Sequence, residues 1–168
     1  MNLTMDLENR KIEVRLISVE DLVENKIFLI NLLEDNLKIN FPNMSNLTEY
    51  AINGYDDMLR FKKDNSAILI GAFDKEKIIG FLWAYTREIL SERRIHIGHI
   101  VVNSEVRSGG IGSKLLKCLE DYSIRVNIKK IDLMTTLENE KTMKFYKENG
   151  YSIVRVQLEK ELGDIDDN

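Results

Sequence analysis

Residues 107–116 read RSGGIGSKLL, with three glycines inside four positions. The apolar run IGHIVV (97–102) comes just before, and an apolar, helix-like segment follows. A glycine-rich turn between a strand and a helix brings backbone amides close to an anion. Three glycine patterns compete for it. A P-loop ends in Gly-Lys-Ser/Thr, but Ser113 and Lys114 stand in the wrong order. A dinucleotide fingerprint needs a third glycine where Leu115 stands. The pattern Arg-x-x-Gly-x-Gly is met by Arg107, Gly110 and Gly112. Glycines there let the chain turn and approach a pyrophosphate closely. The first-turn amides of the helix then point free donors at the phosphates. Ser113 and Lys114, in that turn, could add a hydroxyl and an ammonium.

Two histidines, His96 and His99, lie on the strand that leads into the glycines. Three positions apart on a regular strand, they point to opposite faces. They could not then share a metal, and no metal site is expected. A histidine suits proton transfer near neutral pH, although either ring could instead be packed with its nitrogens satisfied. Cys118 continues the stripe Ile111, Leu115, Cys118, Tyr122 and reads as core rather than nucleophile. Trp83 reads as core or as a wall of an acceptor pocket.

The elements that must hold these residues follow from hydrophobic period and turn residues. Strands are expected at 11–18, 66–74, 77–88, 93–102, 129–139 and 151–162. Helices are expected at 19–37, at 47–63 with an interruption near Gly54, at 110–127, and at 140–150 closed by Gly150. Residues 66–88 form a hairpin over DKEK. Hairpins first and a β-α-β crossover later predict a mixed α/β sheet with helices on its faces.

The 168 residues suit a single domain, 1–168, with an acidic, frayed tail over about 159–168. Hydrophobic residues make up 43% and charged residues 31%, as in ordinary globular proteins. A net charge of −4 argues against general nucleic-acid binding. Residues 17–58 carry eight acids against two bases, while 91–130 carry eight bases against four acids. An anion near the glycines and a cation near the first helices would suit that polarity. The one cysteine permits no internal disulfide, and with no secretion signal the expected home is a reducing cytoplasm. No apolar run reaches membrane-spanning length.

The glycine motif and a second one resemble the GCN5-related N-acetyltransferase (GNAT) family. That family carries Gln/Arg-x-x-Gly-x-Gly/Ala after its fourth strand. After its fifth strand it often shows Asn, then Ala three residues on, then an aromatic and Tyr. Here stand Asn139, Thr142, Phe145 and Tyr146, followed by KENGY. Ser104 replaces a common proline and Thr142 the alanine, and neither touches the phosphate logic. The resemblance implies the acyl-CoA N-acyltransferase fold. That fold has a mixed sheet of six to seven strands, mostly antiparallel, with a splayed parallel pair formed by the fourth and fifth, and about four helices.

It also implies acetyl-CoA as co-substrate and transfer of its acetyl group to a primary amine. Residues Arg107, Ser108, Gly109, Gly110, Ile111, Gly112 and Ser113 would hold the pyrophosphate. The backbone of Ile100, Val101 and Val102 would pair with pantetheine, an amide near Val101 polarising the thioester carbonyl. Tyr146 would be the general acid at the sulfur, or else an aromatic packed under the sheet. Asn139 would contact the cofactor, or else cap a helix. His96 lands where some relatives place a glutamate base. The acceptor would lie among residues 30–50 and 80–88, where Glu34, Asp35, Phe41 and Trp83 suit a small cationic amine. Acetylation of a peptide N-terminus or lysine, and a non-catalytic acyl-CoA sensor, are the alternatives. Relatives pair through sheet edges, and the terminal strand offers an edge for a homodimer.

Overall fold

Residues 2–7, 10–41, 43–106 and 109–160 are described in the structure, a computed structural model. The chain divides into two compact units, Met1–Met134 and Thr135–Asn168. The first unit holds one six-stranded sheet whose spatial order is the sequence order. Its strands are β1 (Asn2–Leu7), β2 (Arg10–Leu16), β3 (Ile68–Asp74), β4 (Lys77–Ile89), β5 (Glu92–Val102) and β6 (Ile131–Leu133). Neighbours run antiparallel except β5 and β6, which are parallel. This parallel pair is the expected one, renumbered because β1 precedes the first strand read from the sequence. Leu3, Met5 and Leu7 are half-buried and alternate with exposed residues, the period of two that a half-buried strand requires.

The helices of this unit are α1 (Val19–Glu24), α2 (Lys26–Asn40), α3 (Leu47–Lys63) and α4 (Ile111–Arg125). Residues of α1, α2 and α3 join Leu69, Phe73, Phe81 and Val101 in one buried cluster, so these helices cover one face of the sheet. By alternation, Val14, Ile70, Ala72 and Leu82 point to the other face. There α4 buries Ile111, Leu115, Cys118 and Leu119. Each large apolar side chain taken from water contributes roughly 1.5–3 kcal/mol.

The single helix expected over 19–37 is broken at Asn25. Its buried side chain donates to the Asp21 and Glu76 carbonyls, at 3.0 and 3.3 Å, and accepts from the Ile78 amide at 3.0 Å. A polar residue thus stitches the α1–α2 junction to β4. No break occurs at Gly54, where α3 runs on and comes close to Leu33 of α2.

Ser18 caps α1 with a reciprocal pair: its hydroxyl accepts from the Asp21 amide at 3.1 Å, and the Asp21 carboxylate accepts from the Ser18 amide at 2.8 Å. Arg15 of β2 grips the same carboxylate with two bonds, at 2.6 and 2.8 Å. The Arg15 hydrogen bonds hold the Asp21 carboxyl at about 2. Because the folded value is depressed, this stabilisation is present above the unfolded pKa of ~3.9 and is lost as pH falls through about 2. Asp21→Asn is expected to cost about 1–2 kcal/mol in urea unfolding at pH 7. The difference from wild type should shrink as the pH is lowered from about 4 toward 2.

The second unit holds α5 (Glu140–Glu148). Gly150, at φ +83°, closes it. The Gly150 amide bonds to the Lys147 carbonyl and the Tyr151 amide to that of Tyr146, which is the Schellman arrangement. The strand expected from 151 does not form: Tyr151–Lys160 have no regular secondary structure, and the remaining residues lie outside those described. Ile153, Val154, Val156 and Leu158 are exposed. Their pattern suits a strand, but a strand needs a hydrogen-bonded neighbour, and this segment pairs with none among the described residues. The strand expected at 129–139 is likewise only Ile131–Leu133.

Candidate active site

The antiparallel register between β4 and β5 slips once. Trp83 faces His99, yet Ala84 faces Ile97, so Gly98 is an extra residue on β5. A bulge of this kind reverses the inward-outward alternation beyond it. His96, opposite Tyr85, and His99, opposite Trp83, therefore project from the same face of the sheet. This corrects the expectation of opposite faces, which assumed a regular strand. The ring centroids confirm the pairing: Tyr85 lies 5.3 Å from His96 and Trp83 lies 5.7 Å from His99. Phe61 of α3 continues the row, 5.8 Å from Trp83. This is the face that α1, α2 and α3 cover. Among the described residues, no group of three or more metal-ligating side chains is brought together.

The parallel pairing of β5 with β6 spans only Ile95–Ile131, His96–Asp132 and Ile97–Leu133. β5 runs on to Val102, and beyond Ile97 no strand pairs with that side of it among the described residues. The bulge and the end of β6 coincide. Ile100 and Val102 are half-buried there and Val101 is buried.

His96 is buried and belongs to a polar cluster drawn from three strands. Its Nδ1 lies 2.6 Å from Oδ1 of Asp132 on β6. Arg87 of β4 donates to the same oxygen at 2.5 Å, and Arg94 of β5 to Oδ2 at 3.3 Å. Arg94 also grips Glu92, which pairs with Lys130 at 2.9 Å. The Nε atoms of both arginines are buried without a partner among the described residues. Burial pushes the Asp132 carboxyl up, but the hydrogen bond from His96 and the two guanidiniums outweigh it and hold it below the usual carboxylate range. Burial lowers the pKa of His99 and favours its neutral form.

The glycine turn sits where a short 3₁₀ turn, Ser104–Val106, meets α4. Gly109 donates its amide to the Val106 carbonyl at 3.1 Å. A Cβ at Gly109 would run into the side chain of Leu7 on β1, so the bare backbone is what lets the turn close against the sheet. Gly110 is the N-cap of α4 at φ +75°, in the left-handed region. The Lys114 amide closes the first turn on the Gly110 carbonyl at 3.1 Å. The amides of Ile111, Gly112 and Ser113 precede that bond and have no acceptor within the helix. Arg107 and Ser108 lie outside the described residues.

In the second unit, Tyr146 is buried, with Phe145 and Tyr151 ring centroids 5.2 and 5.5 Å away. Burial pushes its phenol up to about 12. Asn139 is the N-cap of α5, accepting from the Thr142 amide at 3.2 Å. Cys118 is fully buried and its thiol is pushed up to about 11, which suits core packing and not nucleophilic attack.

Among the expected acceptor residues, Trp83 joins the aromatic and histidine row, whereas Glu34 and Asp35 hold Lys38 of their own helix, at 3.0 and 3.8 Å. Phe41 is exposed at the end of α2. Sequence reasoning missed Tyr85, Arg87, Arg94 and Asp132. The one local signal was Gly98, since a glycine inside a strand marks a bulge.

A mixed sheet whose one parallel pair stops at a bulge, followed by a glycine turn capping a helix, defines the acyl-CoA N-acyltransferase class. The model of the acetyltransferase (GNAT) family matches residues 30–151, and the chain belongs to that family. It is an acetyltransferase. Among similar solved structures is an aminoglycoside acetyltransferase from an uncultured soil metagenomic sample, in complex with trehalose. It is 18% identical with a TM-score of 0.73, and the match covers 94% of this chain and 100% of that one. A GCN5-related N-acetyltransferase from Ralstonia eutropha JMP134 is 18% identical with a TM-score of 0.72, over 90% and 98% of the two chains. A ribosomal-protein-alanine N-acetyltransferase from Brucella melitensis biovar Abortus 2308 is 19% identical with a TM-score of 0.65, over 90% and 99%. Among the described residues, no helix is long and apolar enough to cross a membrane.

Proposed function

We propose that this chain transfers the acetyl group of acetyl-CoA directly to a primary amine on a small cationic molecule. The observation that carries the reading is the coincidence of the Gly98 bulge, the end of the β5–β6 pairing and the Gly110-capped helix in a chain of this family. The first-turn amides of α4, with Arg107 and Ser108 before them, bind the pyrophosphate. Pantetheine runs along the Ile100–Val102 backbone, and Asn139 adds a contact. The amine nitrogen, freed of its extra proton by His96, attacks the thioester carbon. A backbone amide near Val101 stabilises the oxyanion. The C–N bond forms and the C–S bond breaks; the leaving sulfur takes a proton from Tyr146, the second proton shed by the nitrogen restores the phenol, and His96 releases the first to water.

The acceptor class rests on the acid-rich stretch 17–58 and on Phe61, Trp83 and Tyr85 of the row, whose faces attract cations. One similar solved structure bears the name of an aminoglycoside acetyltransferase, which agrees with this class. The excess positive charge of Arg87, Arg94 and Lys130 over Asp132 and Glu92 favours the neutral, nucleophilic form of an amine beside His96.

The test is thiol release from acetyl-CoA against polyamines, aminoglycosides, amino acids and short peptides. Turnover with a small polyamine or aminoglycoside is the expected result. Turnover confined to peptides would transfer the acceptor to the protein class. No turnover, with acetyl-CoA still raising the melting temperature, would leave a sensor.

A further inference from the structure

We propose that Asp132 is a positioning residue for His96: it keeps the ring proton on Nδ1 and leaves the Nε2 lone pair to receive the proton of the amine. The assignment rests on the reading of His96 as the base. His96 and Asp132 are direct neighbours in the parallel pairing of β5 with β6, and Nδ1 stands 2.6 Å from Oδ1. An ionised carboxylate only accepts, so at that distance the proton of a neutral imidazole must lie on Nδ1. Arg87 and Arg94 bond to the same carboxylate, at 2.5 and 3.3 Å. They keep it charged, so it orients the ring without taking the proton itself. Arg94 is in turn fixed by Glu92, and Glu92 by Lys130.

The groups that face the ring are Tyr85 and Arg87 from β4, Arg94 from β5 and Asp132 from β6. On α2, which packs against the same strand, Glu34, Asp35 and Lys38 are paired with one another. A plain structural ion-pair cluster would need no particular ring tautomer. The arrangement seen here specifies one.

Long-range proton–nitrogen spectra of the full chain, labelled at histidine nitrogen and assigned with His96→Gln, read the tautomer without any substrate. The expected result for the neutral ring is a proton on Nδ1. Protonation on Nε2 would overturn the proposal, whatever the kinetics. Asp132→Asn should spread the ring proton over Nδ1 and Nε2 in the same spectra and lower kcat at least about tenfold. The KM for acetyl-CoA should hold, and Asp132→Glu should recover part of the loss. A kcat that does not fall in Asp132→Asn would equally overturn it. If Asp132→Asn fails to fold, the wild-type spectrum still decides. Full turnover in His96→Gln would instead sink the base reading, even with the expected tautomer present.

Discussion

Tyr146→Phe is expected to lower kcat by about a hundredfold, the low end of what a positioned acid or base contributes. Burial holds the phenol at about 12, so it is protonated throughout the working pH range. A thiol resembling cysteine has a pKa of about 8.5. A phenol so much weaker as an acid does not hand its proton to a fully formed thiolate at equilibrium. In the proposed role it would hydrogen-bond to charge as it builds on sulfur while the C–S bond breaks, and the proton it gives up would be replaced at once by the one the amine nitrogen sheds. That is stabilisation realised mainly in the transition state, so the loss belongs in kcat and not in the KM for acetyl-CoA. The ring itself stays, with its Phe145 and Tyr151 neighbours. The fold should lose no more than about 1 kcal/mol. Thiol release at saturating acetyl-CoA, beside a thermal melt, measures both. An unchanged kcat would remove Tyr146 from the chemistry, and a large drop in melting temperature would make it a packing residue.

The sequence made the glycine turn, the helix behind it and the strand before it legible because each carries a local signal. These signals are a φ that glycine tolerates, a 3.6-residue apolar stripe and a continuous apolar run. Gly150 closing α5 was legible for the same reason. What escaped depends on partners far along the chain. Asp132 is one acid in a short strand until its parallel neighbour, 36 residues earlier, turns out to be His96. The two histidines were assigned to opposite faces because a period of two was carried through Gly98. One extra residue reverses that count, and only the partner strand reveals it. β1 was passed over because Leu3, Met5 and Leu7 gain their meaning from pairing with β2. The terminal segment failed in the opposite sense: alternation was present, but alternation does not supply a ladder partner.

A carboxylate placed at the glycine turn should weaken the donor more than any other single change in the first unit. Gly110→Asp is the informative variant because the position admits it. The residue sits at φ +75° as the N-cap of α4. Aspartate is among the few side-chain-bearing residues that visit the left-handed region, and it is a favoured cap. The strain costs about 1–2 kcal/mol, and against glycine the cap returns only a few tenths. The nearest atom to a Cβ there is the Met5 methyl at 3.9 Å, an ordinary contact. Stability should therefore fall by about 1 kcal/mol. Binding should change far more. A charge about 5 Å from a phosphate, at an effective dielectric of about 20, meets roughly 3 kcal/mol of repulsion per charge pair. Even half of that, after screening and rearrangement, raises the KM for acetyl-CoA at least tenfold. The effect should soften as salt is added, since part of the repulsion is screened. The same substitution leaves the row of Trp83, Tyr85, His96 and His99 untouched, so the KM for the amine is the internal control. Should the donor KM rise and the amine KM hold, the anion lies at the N-terminus of α4. Should both hold, the phosphates bind elsewhere, and the glycines serve only to fold the turn against Leu7.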